Sequence, residues 1–188
     1  MQPVFAALAA ALLAAPAFAQ QVIPAQSEIA FVSRQMGVPV EGKFKQWTAQ
    51  LNFDPKNAAA GKVGFTIQTG SASFGSPETD AEVPKAPWFN VAKFPTASFA
   101  SSAIKPLGGG KFEVTGTLAI KGNNQPVVVP VTVTQTSTQA GGTSTASGSF
   151  TIKRLDFKIG EGEWTDTSMV ANDVTVKFKL ALSGMAPL

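Results

Sequence analysis

The chain has 188 residues and a mass of 19.5 kDa, 44% hydrophobic and 14% charged, which fits one folded domain and excludes disordered, collagenous and coiled-coil classes. It contains no Cys, no His and no Tyr against 14 Phe, which removes disulfides, thiolate nucleophiles, iron–sulfur clusters, Ser-His-Asp triads and imidazole-ligated metals. The net charge is +3, but only two of its 15 cations are Arg and no basic run occurs, so nucleic acid is not an expected partner.

Residues 1–19, MQPVFAALAAALLAAPAFA, carry no charge and end in the small-residue pattern Ala17-Phe18-Ala19. They read as a secretory leader cleaved before Gln20, too short and too broken by Pro16 for a permanent membrane span. The expected location is the periplasm, with 20–188 as a single domain. A chain without Cys in an oxidising compartment must be stabilised by its core alone.

From residue 27 onward the hydrophobic period is two, punctuated by Gly, Pro and Asn clusters at hairpin spacing. The pattern predicts eight strands, at 27–36, 41–54, 62–69, 96–105, 111–121, 126–137, 143–154 and 172–183. In the first, Ile29 and Phe31 face inward. In the second, Phe44 has one parity and Trp47, Leu51 and Phe53 the other, which calls for a bulge near Lys45 and Gln46. Val63, Phe65 and Ile67 line the third, Phe99 falls in the fourth, and Phe112, Val114, Gly116, Leu118 and Ile120 share one face of the fifth. The sixth is Val-rich but holds Pro126 and Pro130, as a frayed or edge strand does. Phe150 and Ile152 line the seventh, and Val174, Val176, Phe178, Leu180 and Leu182 the last.

Gly108-Gly109-Gly110 and Gly122-Asn123-Asn124 supply the positive-φ positions of tight hairpins, and the polar stretch 134–149 reads as a mobile tip. One segment reads as helix: Ser76 as N-cap, Pro77 at N1, then Glu78, Asp80 and Glu82 near the positive end of the helix dipole. It leads to Trp88 and Phe89, placed to plug one end of a barrel. Eight antiparallel strands with one apolar face predict an all-β, eight-stranded extended β-barrel with one short capping helix. Small inner residues, Gly116, Ala146 and Gly148, leave space for large neighbours or for a ligand.

Ser27-Glu28-Ile29-Ala30-Phe31 with Val40-Glu41-Gly42-Lys43-Phe44 resembles the opening of the YceI-like proteins. So does the run from Trp88-Phe89-Asn90-Val91 through Phe94-Pro95-Thr96-Ala97-Ser98-Phe99, with Gly116 to Gly122 and Arg154-Leu155-Asp156-Phe157-Lys158-Ile159-Gly160 after it. The resemblance implies a lipocalin-like barrel that binds a polyisoprenoid lipid, an isoprenoid quinone or a prenyl carrier, in its interior, with no other cofactor. Two positions depart from the family pattern: Gln35 stands where many members carry His, and Lys158 where Gly is common. A barrel that binds a tail does not need that His.

The candidate binding residues are the inner aromatics Phe31, Phe44, Phe65, Phe99, Phe112, Phe150 and Phe178, with Leu118 on the same faces. Trp88, Phe89, Phe157 and Trp164 join them at the ends. Arg154 has inward parity near a strand end, so it should pair with Asp156, Asp173 or Glu28, or meet a lipid head group. Glu161, Glu163 and Asp166 crowd one loop, yet lack the ligand spacing of a calcium loop. The expectation is a binding protein without catalysis. It would meet a membrane or a membrane electron-transfer protein transiently, and could form a homodimer. The rival readings are a small outer-membrane barrel, disfavoured by the absence of Tyr girdles, and a hydrolase working through carboxylates.

Overall fold

The computed structural model describes residues 20–136 and 142–188. The leader 1–19 and the tip residues 137–141 therefore lie outside the described residues. The strands are β1 (Gln21–Val22), β2 (Glu28–Gln35), β3 (Val38–Phe44), β4 (Trp47–Asn52), β5 (Lys62–Gln68) and β6 (Ala72–Ser73), then helix α1 (Pro77–Glu82). After it come β7 (Thr96–Gly108), β8 (Lys111–Ile120), β9 (Asn123–Gln135), β10 (Ser144–Lys153) and β11 (Asp173–Ser183). All pairings are antiparallel, in the order β4-β5-β7-β8-β9-β10-β11-β2-β3-β6, with β1 beside β11.

Eleven strands rather than eight arise from two short additions, β1 and β6, and from the division of the predicted second strand. That division replaces the expected bulge. β3 pairs with β2, whereas β4 pairs with β5 at the far end of the strand order, and only Lys45 and Gln46 lie between them. One bent run thus supplies the edge strand β4 and, beside the other edge strand β6, β3, so the two ends of the strand order are joined at this corner. The bend is held by Lys45 N–H donating to Ser71 O at 3.1 Å and Gln46 N–H donating to Ser71 Oγ at 3.0 Å. The parity change between Phe44 and Trp47 is the sequence trace of this corner.

β8 follows the predicted alternation closely: Phe112, Val114, Gly116, Leu118 and Ile120 are buried, and Lys111 and Thr117 exposed. β9 is not a free edge. It pairs with β8 from Asn123 to Thr132, but with β10 only through Thr132 to Gln135, so its other side is open where Pro126 and Pro130 lie and offer no N–H. The β7–β8 hairpin turns on Gly108, Gly109 and Gly110, all at positive φ. The β8–β9 turn is shifted from expectation: Lys121 (φ 50°) and Gly122 (φ 75°) take the left-handed positions, and Asn123 already belongs to β9.

Of the small inner residues, Gly116 and Gly148 do not open the barrel, whereas Ala146 lines its interior space. A Cβ on Gly148 would stand 2.7 Å from the Phe178 ring, and one on Gly116 would stand 2.5 Å from that of Phe99. Aromatic rings lie over these glycines and fill the space they leave. Two clusters divide the core along the barrel axis. One, at the Leu182 end, holds Phe112, Val133, Leu180 and Met185; the other, at the Ile152 end, holds Ala97, Leu118, Ile120 and Phe157. α1 begins at Ser76, whose hydroxyl accepts from Thr79 N–H, and is fastened to β6 by Asp80, which accepts from Phe74 N–H at 2.6 Å and Ser73 Oγ at 3.0 Å.

Candidate functional site

Inside the barrel lies a cavity of about 430 Å³, within the range of small-molecule sites. Phe31, Phe44, Phe65, Phe99, Phe112 and Leu118 line it, as do Phe150 and Phe178 from β10 and β11, and Trp88, Phe89, Trp164 and Arg154 at one end. Phe157 does not line it: at 1% exposure it belongs to the wall behind, packed in the Ile152 cluster. The rings are locked against one another, with Phe31 5.1 Å from both Phe44 and Phe74, and Phe53 edge-on to Phe112 at 5.0 Å.

The two ends differ. At the Leu182 end, Met185 and Phe53 stopper the cavity, and the Gln20 amide clamps the backbone of Phe53, its Oε1 accepting from Phe53 N–H at 3.0 Å and its Nε2 donating to Phe53 O. At the opposite end Trp88 and Trp164 face each other at 5.4 Å and form a partial cap. Of the lining residues only Gln35, Glu78 and Glu82 are exposed, so the opening lies between the end of β2 and α1. Ser33 and Thr79 are the half-buried polar groups just inside it. The i, i+4 spacing of Glu78 and Glu82 puts both carboxylates on one helix face. That spacing is the sequence signal for the mouth, in addition to the complementarity of these carboxylates to the helix dipole.

Arg154 corrects an expectation. Its side chain is 2% exposed and makes no ion pair among the described residues; Asp173 instead pairs with Lys153 at 2.8 Å and Glu28 with Lys43 at 3.7 Å. Nε donates to Ala171 O at 3.0 Å, Nη1 to Ile159 O at 2.8 Å and Gly160 O at 3.3 Å, and Nη2 to Trp164 O and Val170 O, both at 2.6 Å. These partners occupy the whole donor set of a guanidinium. The residue that follows β10 curls the 159–171 segment around its own side chain, so the carbonyls of that loop are nearer than any carboxylate. Burial lowers the guanidinium pKa from its ordinary value, and the converging carbonyl dipoles oppose that cost.

A second buried cation, missed from sequence, completes the cap. Lys121 has a side chain only 4% exposed, and its Nζ donates to Ala86 O at 2.9 Å, Lys158 O at 2.8 Å and Glu161 Oε2 at 2.7 Å. The β8–β9 turn is thereby tied to both loops that carry the cap tryptophans. Pro87 O joins those loops again by accepting from Gly160 N–H at 2.8 Å and Glu161 N–H at 2.9 Å. The adjacent ammonium of Lys121 holds the Glu161 carboxyl below the ordinary glutamate range, and the Ser168 hydroxyl and N–H do the same for Asp166. None of Glu161, Glu163 and Asp166 lines the cavity, and no metal-binding group of carboxylates occurs among the described residues. Gln35, at the position where the family often has His, sits on the rim and bridges to Val170.

The order of elements matches a known architecture. The model for the YceI-like domain matches residues 20–182. The chain belongs to the YceI-like domain family. The crystal structure of BcnA from Burkholderia cenocepacia is 45% identical, with a TM-score of 0.81 over 86% of this chain and 99% of that one. A domain from Saccharophagus degradans, described as a polyisoprenoid binding domain implicated in plant cell wall breakdown, shares the fold at 17% identity, with a TM-score of 0.68 over 89% of this chain and 99% of that one. Among relatives known by sequence, a UPF0312 protein of Ectopseudomonas mendocina is 33% identical over 120 residues, 63% of each chain. The YceI protein of Salmonella arizonae is 39% identical over 88 residues, 47% of this chain and 46% of that one. The matched stretches thus span about half to two thirds of these YceI and UPF0312 relatives.

Proposed function

We propose that this YceI-like chain is an exported, non-catalytic protein that holds the tail of a polyisoprenoid lipid along its barrel axis and works in the periplasm as a carrier or store. The observation that carries the reading is the cavity: about 430 Å³, apolar through its depth, stoppered at the Met185 end and opened beside three polar rim residues. Such a space recognises a ligand by length and dryness. Each buried CH₂ contributes about 0.8 kcal/mol and requires no directional partner. From Val174 to Leu182 the inner face of β11 runs about 26 Å, long enough to sheathe an extended chain rather than a compact ligand. The binding description of the S. degradans domain supports the same ligand class. The membrane is the source such a lipid would come from.

Against the outer-membrane reading, the faces are reversed: apolar residues point inward, while Lys111, Lys177, Lys179 and Thr117 are exposed on the outside, where a spanning barrel needs an apolar band. Against the hydrolase reading, the acidic loop is engaged in the cap and its carboxylates lie off the cavity. Mass spectrometry of an organic extract from the natively purified protein tests the proposal. A retained prenyl lipid, or stoichiometric uptake of an added one, is the expected result; a protein that neither carries nor takes up any isoprenoid overturns it.

A further inference from the structure

Resting on the lipid-binding reading, we infer that the mouth selects an isoprenoid with an uncharged head, a hydroxyl or a quinone carbonyl, and rejects the phosphate or diphosphate of the same chain. Among the described residues the only cationic side chain in the cavity wall is Arg154, and all of its donors are held by backbone carbonyls 2.6 to 3.3 Å away. Re-aiming one donor at a phosphate would leave a buried carbonyl unpaired, which is unfavourable. The rest of the polar lining at the open end is neutral, Ser33, Gln35 and Thr79, or negative, Glu78 and Glu82.

Lys85 does not reverse this sign, because it lies outside the lining and is paired with Glu82. Arg34 has the outward parity of β2, and its Nη1 donates to Gly37 O. An anionic head drawn to the rim by its tail would therefore lose hydration beside two carboxylates, with no free donor of positive charge in the wall. A hydroxyl or carbonyl head meets no such penalty, since Ser33, Gln35 and Thr79 offer both donors and acceptors.

The test uses the full chain stripped of lipid, with a polyprenol and its diphosphate of equal length as probes, each presented in the same neutral detergent. Affinity is read from the fluorescence of the cavity tryptophans. The expected result is a preference for the polyprenol of about tenfold at low salt, shrinking as salt screens the exposed rim. In Glu78→Gln/Glu82→Gln the preference should fall by at least about fivefold, chiefly through tighter binding of the diphosphate. Equal or tighter binding of the diphosphate by the unmodified protein overturns the inference while leaving lipid binding intact, and so does a preference that the double variant does not move. Failure of both probes to bind removes the lipid reading itself.

Discussion

Arg154 and Lys121 are buried cations whose donors are taken up by groups of the cap. Removing the guanidinium leaves carbonyls of 159, 160, 164, 170 and 171 without partners, and a Lys cannot reach them all with three donors. Arg154→Lys is expected to lower stability by about 3 kcal/mol or more, read from the urea midpoint at unchanged m-value. Lys158 is a different case. It holds φ 56° and ψ 33°, a left-handed conformation that a glycine adopts without strain, at the place where the family commonly has Gly. Lys158→Gly should therefore raise stability by about 0.5 kcal/mol, partly offset by the freer unfolded chain, and thermal unfolding would show it as a rise of a few degrees at most.

The loop between β10 and β11 and the segment after α1 act together as a brace. Glu161 belongs to it, and its pKa in the folded protein is lowered by Lys121, first through the hydrogen bond and then through charge. A depressed carboxylate contributes stability above its unfolded pKa, and that contribution is lost as pH falls through the folded value. The stability gap between the parent protein and Glu161→Gln should thus be present at neutral pH and close below the ordinary carboxylate range. Equilibrium unfolding at several pH values measures it; a gap that persists in strong acid would mean that the ion pair is not its cause. β9 shows a different kind of element effect. Its prolines correctly marked a missing half-ladder, but pairing along β8 keeps the strand inside the sheet, because a Pro whose N–H side faces a gap costs no hydrogen bond.

For the molecule as a whole, the cavity decides between a packed and a loaded barrel. On the proposed reading, the tail of a lipid fills this space. Stripping the bound lipid should lower the unfolding temperature markedly, and adding it back should restore the loss in proportion to the logarithm of free ligand. Leu118, buried near the Ile120 end of β8 and lining the cavity, is a place to shorten the space. Leu118→Trp is expected to favour shorter isoprenoids over longer ones by roughly tenfold, which a chain-length series of uptake assays would reveal.

The sequence by itself determined the inward faces, the turn glycines, the capped helix and the loss of His and Cys chemistry, because strand alternation and turn preference are local and leave a period in the chain. It also carried the family motifs that imply the proposed lipid class. It took the packed fold to establish that one bent run joins β3 to the edge strand β4, that Arg154 meets carbonyls rather than Asp156, Asp173 or Glu28, and that Glu78 and Glu82 share a mouth with Gln35. These outcomes depend on which distant segments come together around the barrel end. The same holds for Phe157, which lies in the turn after β10 where strand parity assigns no face: only the packing of that turn seals it in the wall, apart from the Phe residues that line the cavity.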